Sequence, residues 1–440
     1  MGRSAQSGTL ELQRLPNEAA LVERDDEQQD GSHAYVLPPV DQGPEAWRFL
    51  FASFFIEALL WGFPLSYGVF QDYYSRQPEF AGNKNIAIIG TLSTSIYFIG
   101  APFAMPLVKR YQRYQRYMVV AGWAGCAFSL LAASFCKSVS GLIATQGVLY
   151  GISFLMLYFP LLRMLNEWFV ERRGFAYGVL YGGGGVSGVG LPFLLEMLLS
   201  KYGYRTTLQA VAVAQFILVV PFLPFVKGRL PPSAHSAFHT VDIQFLSEPL
   251  FYCFALSNLF QGFAYYIPSL YLPSYASDLG LSTTMGALIL ALNNGATVFG
   301  QVGFGWLSDR VNNVLILVCV SSLASAVAAF AIWGFAHSLE AIIIFSLIYG
   351  WFAGGYVVFW TKFGSVLSED PQLPFSLMAL GRGVGNIATG PIAASLTTGS
   401  VASGYGLGRF QPLILFLGSF MLCSSLGILG YPLRRHGARN

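Results

Sequence analysis

The sequence predicts an all-helical membrane protein, with twelve transmembrane helices arranged as two pseudo-symmetric bundles of six. Its 440 residues are 54% hydrophobic and only 11% charged, with a mean hydropathy of +0.54. Soluble chains carry about 25% charged residues, so this chain has too few charges to cover a surface that faces water. Apolar stretches of about 20 residues, the length that crosses a bilayer, alternate with short polar turns, and a longer polar gap follows the sixth stretch.

The twelve apolar stretches define the predicted spans and the predicted domains. Residues 1–46 are polar and rich in Glu, Asp, Gln and Ser, which predicts a disordered cytosolic tail. Residues 47–226 form the first bundle, 227–249 a cytosolic linker, 250–432 the second bundle, and 433–440 a short cytosolic tail. The spans lie near 47–70, 85–107, 117–136, 141–163, 173–199, 206–226, 250–273, 284–307, 313–335, 340–361, 375–397 and 411–432.

The positions of the basic residues predict the orientation of the chain. Lysines and arginines concentrate in the tails and in the turns that follow the even-numbered spans. Basic residues close to span ends stay in the cytosol, so we expect both termini on the cytosolic side. The expected location is the cell membrane, and the sequence leaves an organelle membrane open.

The fifth span begins with a charged cluster and continues into a glycine-rich run. In water each glycine inside a helix costs about 1 kcal/mol against alanine, but lipid forces the backbone into a helix, and small residues let neighbouring helices approach. The alternative is a phosphate-cradling loop, which needs a preceding strand and usually a following Lys; the next lysine here is Lys201. The pattern therefore favours a helix packed on more than one side. The glycines recur at every fourth position in two series, Gly174, Gly178 and Gly182, and Gly184 and Gly188.

The two halves of the chain carry matching residues at equivalent positions, in the first and seventh spans and in the fifth and eleventh. Such an internal repeat is typical of a transporter that rocks two halves about a substrate site at mid-membrane. The matched sets are Glu57, Trp61 and Pro64 with Gln261, Tyr265 and Pro268, and Gly184, Ser187 and Pro192 with Gly383, Asn386 and Pro391.

Two stretches resemble the major facilitator superfamily. Residues 305–310, Gly-Trp-Leu-Ser-Asp-Arg, resemble the signature loop of that superfamily, although Asn312 and Asn313 replace its trailing basic residues. Residues 168–178, Trp-Phe-Val-Glu-Arg-Arg-Gly-Phe-Ala-Tyr-Gly, are similar to the fifth-span signature of the monocarboxylate porter family, and most similar to its fungal branch. The resemblance covers about residues 45–435, and it implies the major facilitator fold and secondary active transport.

The sequence departs from the proton-coupled lactate carriers of that family at two positions. Those carriers place a Lys after the Phe-Pro of the first span, where this chain has Leu65, and an Asp and Arg pair in the eighth span, where residues 292–297 have neither. The missing cations favour an uncharged or larger amphipathic solute over a small monocarboxylate.

Two ionisable residues inside the spans are candidates for function, because a charge at the centre of a bilayer costs about 2.5–3.5 kcal/mol on insertion scales. Glu57 is a candidate proton-coupling carboxylate; its alternative role is to hold a neighbouring helix, through Gln261 or an eighth-span Asn. Arg382 is a candidate for attracting an anionic solute or for pairing with Glu57, and its alternative role is to extend towards the headgroups. Arg163 and Glu167, four residues apart, are expected to form a structural ion pair.

Uncharged polar and aromatic side chains complete the predicted solute site. Amides of the seventh and eighth spans, together with aromatic residues of the fourth and tenth, suit a bulky amphipathic solute. An aromatic stripe at helical spacing is more often packing than a ligand site, and both interpretations are kept. These candidates are Trp61, Tyr150, Asn258, Gln261, Tyr265, Asn293, Asn294, Tyr349 and Tyr356.

Charged residues at the predicted cytosolic ends of the two halves form a candidate gate. Asp309 with Arg310 lies in the second half, and Glu171 with Arg172 and Arg173 lies at the matching corner of the first half. Ion pairs at these corners would hold the cytosolic mouth shut and would break when it opens.

The sequence therefore predicts a secondary active transporter that works by alternating access and exports an amphipathic metabolite, with proton coupling as a hypothesis. Uptake of a monocarboxylate and a non-transporting membrane sensor are the alternatives. The expected partners are a small organic solute, the lipid bilayer and protons. We find no nucleotide-binding loop, metal-ligand spacing, nucleophile set or nucleic-acid patch, so we expect no enzyme activity, cofactor, metal, ATP or nucleic acid.

Overall fold

Every regular element in the described part of the chain is a helix. The computed structural model describes residues 37–80, 83, 85–230, 243–311, 313–368, 371–397 and 404–430. Most of the predicted linker and the predicted C-terminal tail lie outside the described residues. The chain is helical because lipid offers no partners to backbone N–H and C=O groups, so these groups pair within each segment. The α-helices, numbered in chain order, are α1 Gly43–Leu65, α2 Tyr67–Arg76, α3 Ile86–Arg110, α4 Gln115–Ser134, α5 Val139–Leu142, α6 Tyr150–Trp168, α7 Arg173–Val219, α8 Pro249–Tyr265, α9 Ile267–Asp278, α10 Thr283–Arg310, α11 Val314–Val327, α12 Leu339–Gly354, α13 Phe359–Leu367, α14 Gln372–Leu396 and α15 Gln411–Ser425.

Each predicted span corresponds to helix in the structure. In the described chain, nine helical runs are long and apolar enough to cross a bilayer, and one of them, Arg173–Phe225, has 53 residues and contains both the fifth and the sixth predicted span. The predicted turn between those two spans is reduced to a kink at Gly203, where φ is 75° and ψ is 171°, a conformation open mainly to glycine. The helices confirm the all-helical fold and are consistent with twelve spans.

The first and seventh spans, which match in sequence, are both interrupted near their proline. α1 and α2 meet at Ser66, two residues after Pro64, and α8 and α9 meet at Tyr266, two residues before Pro268. Proline removes a helical N–H and its ring crowds the preceding turn, which favours such an interruption. The shared break is a further match between the two halves.

The glycine-rich run lies in the first half of α7 and packs against two neighbouring helices. A Cβ at Gly174 would lie 2.7 Å from the carbonyl oxygen of Gly305 in α10, and one at Gly178 would overlap the carbonyl oxygen of Gln301. On another side of α7, a Cβ at Gly183 would overlap the carbonyl oxygen of Phe54 in α1. The prediction of a helix packed on more than one side is confirmed, and a phosphate loop is excluded because the run is helical.

The segment that precedes α1 is part of the fold. Residues 1–36 of the predicted tail lie outside the described residues, but Asp41 is buried and α1 begins at Gly43 rather than near residue 47. The Asp41 carboxylate accepts hydrogen bonds of 2.9 to 3.2 Å from the backbone N–H groups of residues 170–172. Asp41 is therefore held in place by the backbone N–H groups of the turn that leads into α7. The start of a helix is also a favourable place for a negative charge.

The start of the linker is tied to the end of α6. The indole Nε1 of Trp168 donates to the carbonyl oxygen of Lys227 at 2.8 Å. The Glu167 carboxylate accepts from the backbone N–H groups of residues 229–230, at 3.1 and 3.3 Å. Arg163 Nε lies 3.6 Å from Glu167 Oε1, which confirms the predicted ion pair.

The two ends of the helix bundle differ in charge. We call the basic face the end at which Arg110, Arg172 and Arg310 lie, because α3 and α10 end there and α7 begins there. The linker start and Asp41 also lie at this face, through their contacts with the turn between α6 and α7. The opposite face carries the kink at Gly203 and the turn between α9 and α10.

Candidate functional site

A cavity lies between the two halves, near the middle of the long helices. Its volume, taken as the space open to the centre of a water molecule, is about 100 Å³ in this conformation. Helices α1, α3, α6 and α7 of the first half and α8–α10 and α12–α14 of the second half form its wall. Both halves therefore contribute, as a site exposed alternately to the two sides requires. The lining residues are Glu57, Trp61, Leu65, Tyr97, Phe98, Tyr158, Tyr181, Gly185, Tyr265, Tyr266, Ser269, Asn293, Asn294, Thr297, Gln301, Tyr349, Gly350, Gly354, Val357, Trp360 and Arg382.

Aromatic rings dominate this wall. The ring centroids of Trp61 and Tyr97 lie 5.0 Å apart and those of Tyr97 and Tyr158 lie 5.1 Å apart, both pairs edge to face. These separations fall in the favourable range of about 4.5–7 Å. The wall thus offers broad apolar surfaces, with hydroxyl groups at several points, to a solute that is itself partly apolar.

Glu57 is the one carboxylate among the described residues that line the cavity. Its side chain is 3% exposed, and its Oε1 accepts a hydrogen bond of 3.0 Å from the Tyr158 hydroxyl. Its Oε2 has no hydrogen-bond partner among the described residues. The alternative bond to Gln261 or an eighth-span Asn is not formed, and the Tyr158 hydroxyl of α6 is the group that bonds the carboxylate.

Arg382 is the one cation among the described residues of the cavity wall. It is 3% exposed, so it does not extend to the headgroups. Its guanidinium donates to Gln261 Oε1, and its Cζ lies 4.0 Å from the ring centroid of Tyr265 and 5.8 Å from that of Trp360. No carboxylate of the described chain pairs with it, and its Nε has no hydrogen-bond partner there. The predicted pairing with Glu57 is therefore wrong for this conformation.

The amide residues of α10 have different surroundings. Asn293 is buried, and its Oδ1 has no partner within the described residues. Asn294 Nδ2 donates to the carbonyl oxygen of Gly188 at 3.1 Å and so links α10 to α7. Asn293 can therefore accept a hydrogen bond from a solute, whereas Asn294 links the two halves through its bond to Gly188. The predicted candidates that line the cavity are Glu57, Trp61, Tyr265, Asn293, Asn294, Tyr349 and Arg382.

Four predicted candidates lie outside the cavity wall and use their polar groups between helices. The Tyr150 hydroxyl donates to the carbonyl oxygen of Leu60 at 2.7 Å, and Asn258 Nδ2 donates to that of Met378 at 2.7 Å. Buried polar groups in lipid need hydrogen-bond partners. These two side chains donate to backbone carbonyl oxygens of neighbouring helices rather than to a solute. Tyr356 bonds to the Ser257 hydroxyl at 2.9 Å, and Gln261 orients Arg382.

Several lining residues were not predicted. Two adjacent aromatic residues of α3, one tyrosine of α7 and two residues next to the break between α8 and α9 belong to this group. Helical spacing shows which residues share a face, but in a membrane helix an apolar face can meet lipid, another helix or a cavity with equal ease. These aromatic and hydroxyl-bearing residues are Tyr97, Phe98, Tyr181, Tyr266 and Ser269.

At the basic face, Asp309 joins the two halves. Its Oδ1 accepts from the backbone N–H of Gly174 at 2.9 Å, and its Oδ2 accepts from that of Phe175 at 2.7 Å. Lys362 Nζ lies 2.8 Å from Asp309 Oδ1. Asp309, at the end of α10, thus satisfies free N–H groups at the start of α7, where the helix dipole also favours a negative charge.

The other candidate gate residues are arranged differently from the prediction. Arg310 stacks on Trp306, with Cζ 3.9 Å from the ring centroid, rather than pairing with Asp309. Arg173 donates to the Ser365 hydroxyl at 2.9 Å, which is a second contact between α7 and the other half. Glu171 and Arg172 are exposed, and the side chain of neither forms an ion pair with a described residue. The expected ion pairs are replaced by helix capping because the turn into α7 presents unpaired N–H groups.

Comparison with known proteins gives a consistent result. The model of the Major Facilitator Superfamily matches residues 49–390. The chain is 28% identical over 396 residues to the MFS-type transporter pynF of Aspergillus niger, covering 89% of this chain and 90% of the relative. It is 26% identical over 421 residues to the Fujikurins efflux protein of Gibberella fujikuroi, covering 93% and 87%.

A solved structure has the same fold. FucP, a Major Facilitator Superfamily transporter in the outward conformation, matches with a TM-score of 0.60 at 14% identity, covering 88% of this chain and 99% of FucP. At this identity the match concerns the arrangement of helices and not the solute.

Proposed function

Because this chain belongs to the major facilitator superfamily, we propose that it exports an amphipathic organic metabolite from the cell by alternating access, with the solute bound in the central cavity. The observation that carries this proposal is the cavity wall, in which aromatic rings from both halves surround one carboxylate and one cation. A wall of this kind suits a solute with a large apolar body and a few polar groups. The name of the Fujikurins efflux protein supports export as the direction.

The solute should carry an acidic group that Arg382 binds. A buried guanidinium without a counter-charge is costly in a protein interior, and the described chain supplies no carboxylate to it. The rings of Tyr265 and Trp360 contact the guanidinium, and Gln261 accepts a hydrogen bond from it and so orients it. None of these three side chains carries a negative charge. An acidic group on the solute would complete this arrangement.

Within the superfamily, we propose that the chain is a fungal-type member of the monocarboxylate porter family. The motif of residues 168–178 supports this assignment. Leu65 lines the cavity where the resemblance implies the lysine of the lactate carriers, and Asn293 and Asn294 line it within the stretch 292–297 that lacks their Asp and Arg pair. The cation of this cavity is Arg382 of α14, so the lactate site of those carriers is not reproduced. This difference favours a larger solute over uptake of a small monocarboxylate.

Glu57 is proposed to bind the coupling proton. It belongs to the first half, Arg382 belongs to the second, and both line one cavity. A carboxylate with one held and one free oxygen can exchange a proton with the cavity while its position stays fixed by Tyr158. Protonation would remove a negative charge that repels an acidic solute, so binding of the proton and binding of the solute would be linked.

The gate and the orientation complete the proposal. Asp309, through Gly174 and Phe175, and Arg173, through Ser365, join the halves at the basic face, and these contacts would break when that face opens. We propose that the basic face lies on the cytosolic side of the plasma membrane, because turns rich in basic residues stay on that side. In this orientation the cytosolic mouth is closed by these contacts.

Transport by the purified full chain in proteoliposomes tests the proposal. With an imposed proton gradient, an aromatic organic acid should move faster than lactate. Faster movement of lactate would support the monocarboxylate alternative, and no flux of any solute by folded protein would support the sensor alternative.

Two variants test the assigned residues. Arg382→Gln should slow transport of the acidic solute at least tenfold and affect its neutral amide analogue less; Arg409→Gln, which removes an exposed cation from the opposite face, should leave both rates unchanged. Glu57→Gln should abolish proton-driven accumulation but keep solute exchange, and Glu196→Gln, an exposed carboxylate of the same half, is its control. A proton current unaffected by Glu57→Gln removes Glu57 from the coupling role.

A further inference from the structure

The turn between α3 and α4 contains a three-residue repeat that transport does not explain. Residues 110–117 read Arg-Tyr-Gln-Arg-Tyr-Gln-Arg-Tyr. The chain forms a 3₁₀ turn over Gln112–Tyr114 and then enters α4. In a 3₁₀ turn, and nearly so in an α-helix, residues three apart lie on one face. The repeat therefore gathers arginines in one row and tyrosines in a second row.

Both rows point away from the protein. Tyr111, Tyr114 and Tyr117 are exposed by 41%, 54% and 71%, and the three arginines are exposed as well. The ring centroids of Tyr114 and Tyr117 lie 6.4 Å apart. The turn is held from inside by Gln115, which is buried and donates from Nε2 to the carbonyl oxygen of Val108 at 3.4 Å.

Two arginines of this surface have no acidic partner in the part of the chain that the structure describes. No acidic residue occurs in the sequence between Glu79 and Glu167. Arg113 and Arg116 form no ion pair with any residue that the structure describes. The equivalent turn after α10 differs, because its arginine, Arg310, stacks on a tryptophan of its own helix. The arginine and tyrosine repeat therefore has no counterpart in the sequence of the equivalent turn after α10.

The repeat lies where a bilayer changes from tails to headgroups. Phe103 and Leu107 of α3 and Val120 of α4 are 77%, 50% and 38% exposed. In a membrane-spanning chain, exposed apolar side chains of this kind face lipid tails. Tyrosines are enriched at the membrane interface, and arginines next to it reach the headgroups.

We propose that the repeat of residues 110–117 binds the headgroup of an anionic phospholipid in the adjacent leaflet. Arg113 and Arg116 present planar guanidinium groups, which bind phosphate oxygens in a bidentate manner. The tyrosines next to them have hydroxyl groups for the ester region and rings for the upper tails. The site lies outside the solute cavity, so it does not depend on which solute is carried or in which direction.

Lipid binding by the detergent-purified full chain tests this site. We would titrate the wild type with fluorescent short-chain phosphatidylserine and, separately, with phosphatidylcholine, at 50 and 300 mM salt. Basic residues near a surface contribute about 1 kcal/mol each to anionic-lipid binding, or about fivefold in affinity. The double variant Arg113→Gln/Arg116→Gln should therefore bind phosphatidylserine about 25-fold more weakly, and the wild-type affinity should fall with salt.

A matched double variant supplies the control. Lys201→Gln/Arg205→Gln removes two exposed cations from the opposite face and should leave the phosphatidylserine affinity unchanged. Equal affinity of the wild type for the two lipids, or an equal loss in both double variants, would overturn the proposal. Competition by inorganic phosphate at the same concentration as the lipid would also overturn it, because the site would then bind free phosphate without the lipid.

Discussion

We propose that closure of the basic face depends on Asp309, and the variant Asp309→Asn tests this. The carboxylate accepts two backbone N–H groups at the start of α7, at 2.9 and 2.7 Å, and lies 2.8 Å from Lys362 Nζ. Asparagine has nearly the same shape but keeps only one acceptor oxygen and no charge. The variant therefore loses one charge-assisted hydrogen bond and the attraction to the lysine, while packing is retained.

The magnitude follows from these contacts. A hydrogen bond to a charged group contributes about 1.5–3 kcal/mol, whereas the ion pair with Lys362 lies within the second half and is not broken when the halves separate. We expect the closed basic face to be destabilised by about 2–3 kcal/mol. At about 1.4 kcal/mol for each factor of ten, the equilibrium between closed and open forms should shift roughly 30- to 150-fold.

Hydrogen exchange of the backbone amides of Gly174 and Phe175 measures this shift directly. These amides should exchange roughly 30- to 150-fold faster in Asp309→Asn than in wild type, while amides in the middle of α12 should not change. Asp278→Asn is the control, because its ion pair with Arg409 is exposed and lies at the opposite face, where such pairs contribute little. Unchanged exchange at residues 174–175 would refute the assignment of Asp309 to closure.

Three further variants test the packing and the cavity. Gly178→Ala should lower the melting temperature by several degrees, because the added methyl group overlaps a backbone carbonyl of α10 and such overpacking costs about 1–3 kcal/mol; Gly190→Ala, with no atom within 4 Å of the added Cβ, should not. Asp41→Ala should also destabilise the protein, by about 2–3 kcal/mol for the lost charge-assisted bonds, whereas the exposed Glu171→Gln should have no measurable effect in the same thermal scan. Trp61→Ala should raise the KM for the transported aromatic acid about tenfold or more without unfolding the protein, and an unchanged KM would remove this ring from the solute site.

The sequence predicted those features that depend on the composition of one segment. Span positions follow from apolar length, and the glycine series in α7 follows from the need for close helix contacts in lipid. Glu57 and Arg382 were predicted as cavity residues because a charge in a bilayer must avoid the tails, and both line the cavity.

The partners of these residues could not be predicted, because they depend on which helices are neighbours. Nothing in the spacing of α1 indicates that Glu57 meets Tyr158 of α6 rather than Gln261. Capping is also hidden in the sequence, since the groups that Asp41 and Asp309 satisfy are backbone N–H groups, which every residue except proline possesses. An aspartate in a polar segment looks the same whether it is solvated or buried.

The turn into α7 is shared by two carboxylates from distant parts of the chain. Asp41 occupies the N–H groups of residues 170–172, and Asp309 occupies those of residues 174–175. Five nearly consecutive amides thus connect the segment before α1 to the second half. We expect that removing the Asp41 contact weakens the Asp309 contact, because both depend on the same turn. The free-energy effects of the two substitutions should then be non-additive in a double-mutant cycle. Opening of the basic face, if it occurs as proposed, would therefore be coupled to the segment that holds Asp41.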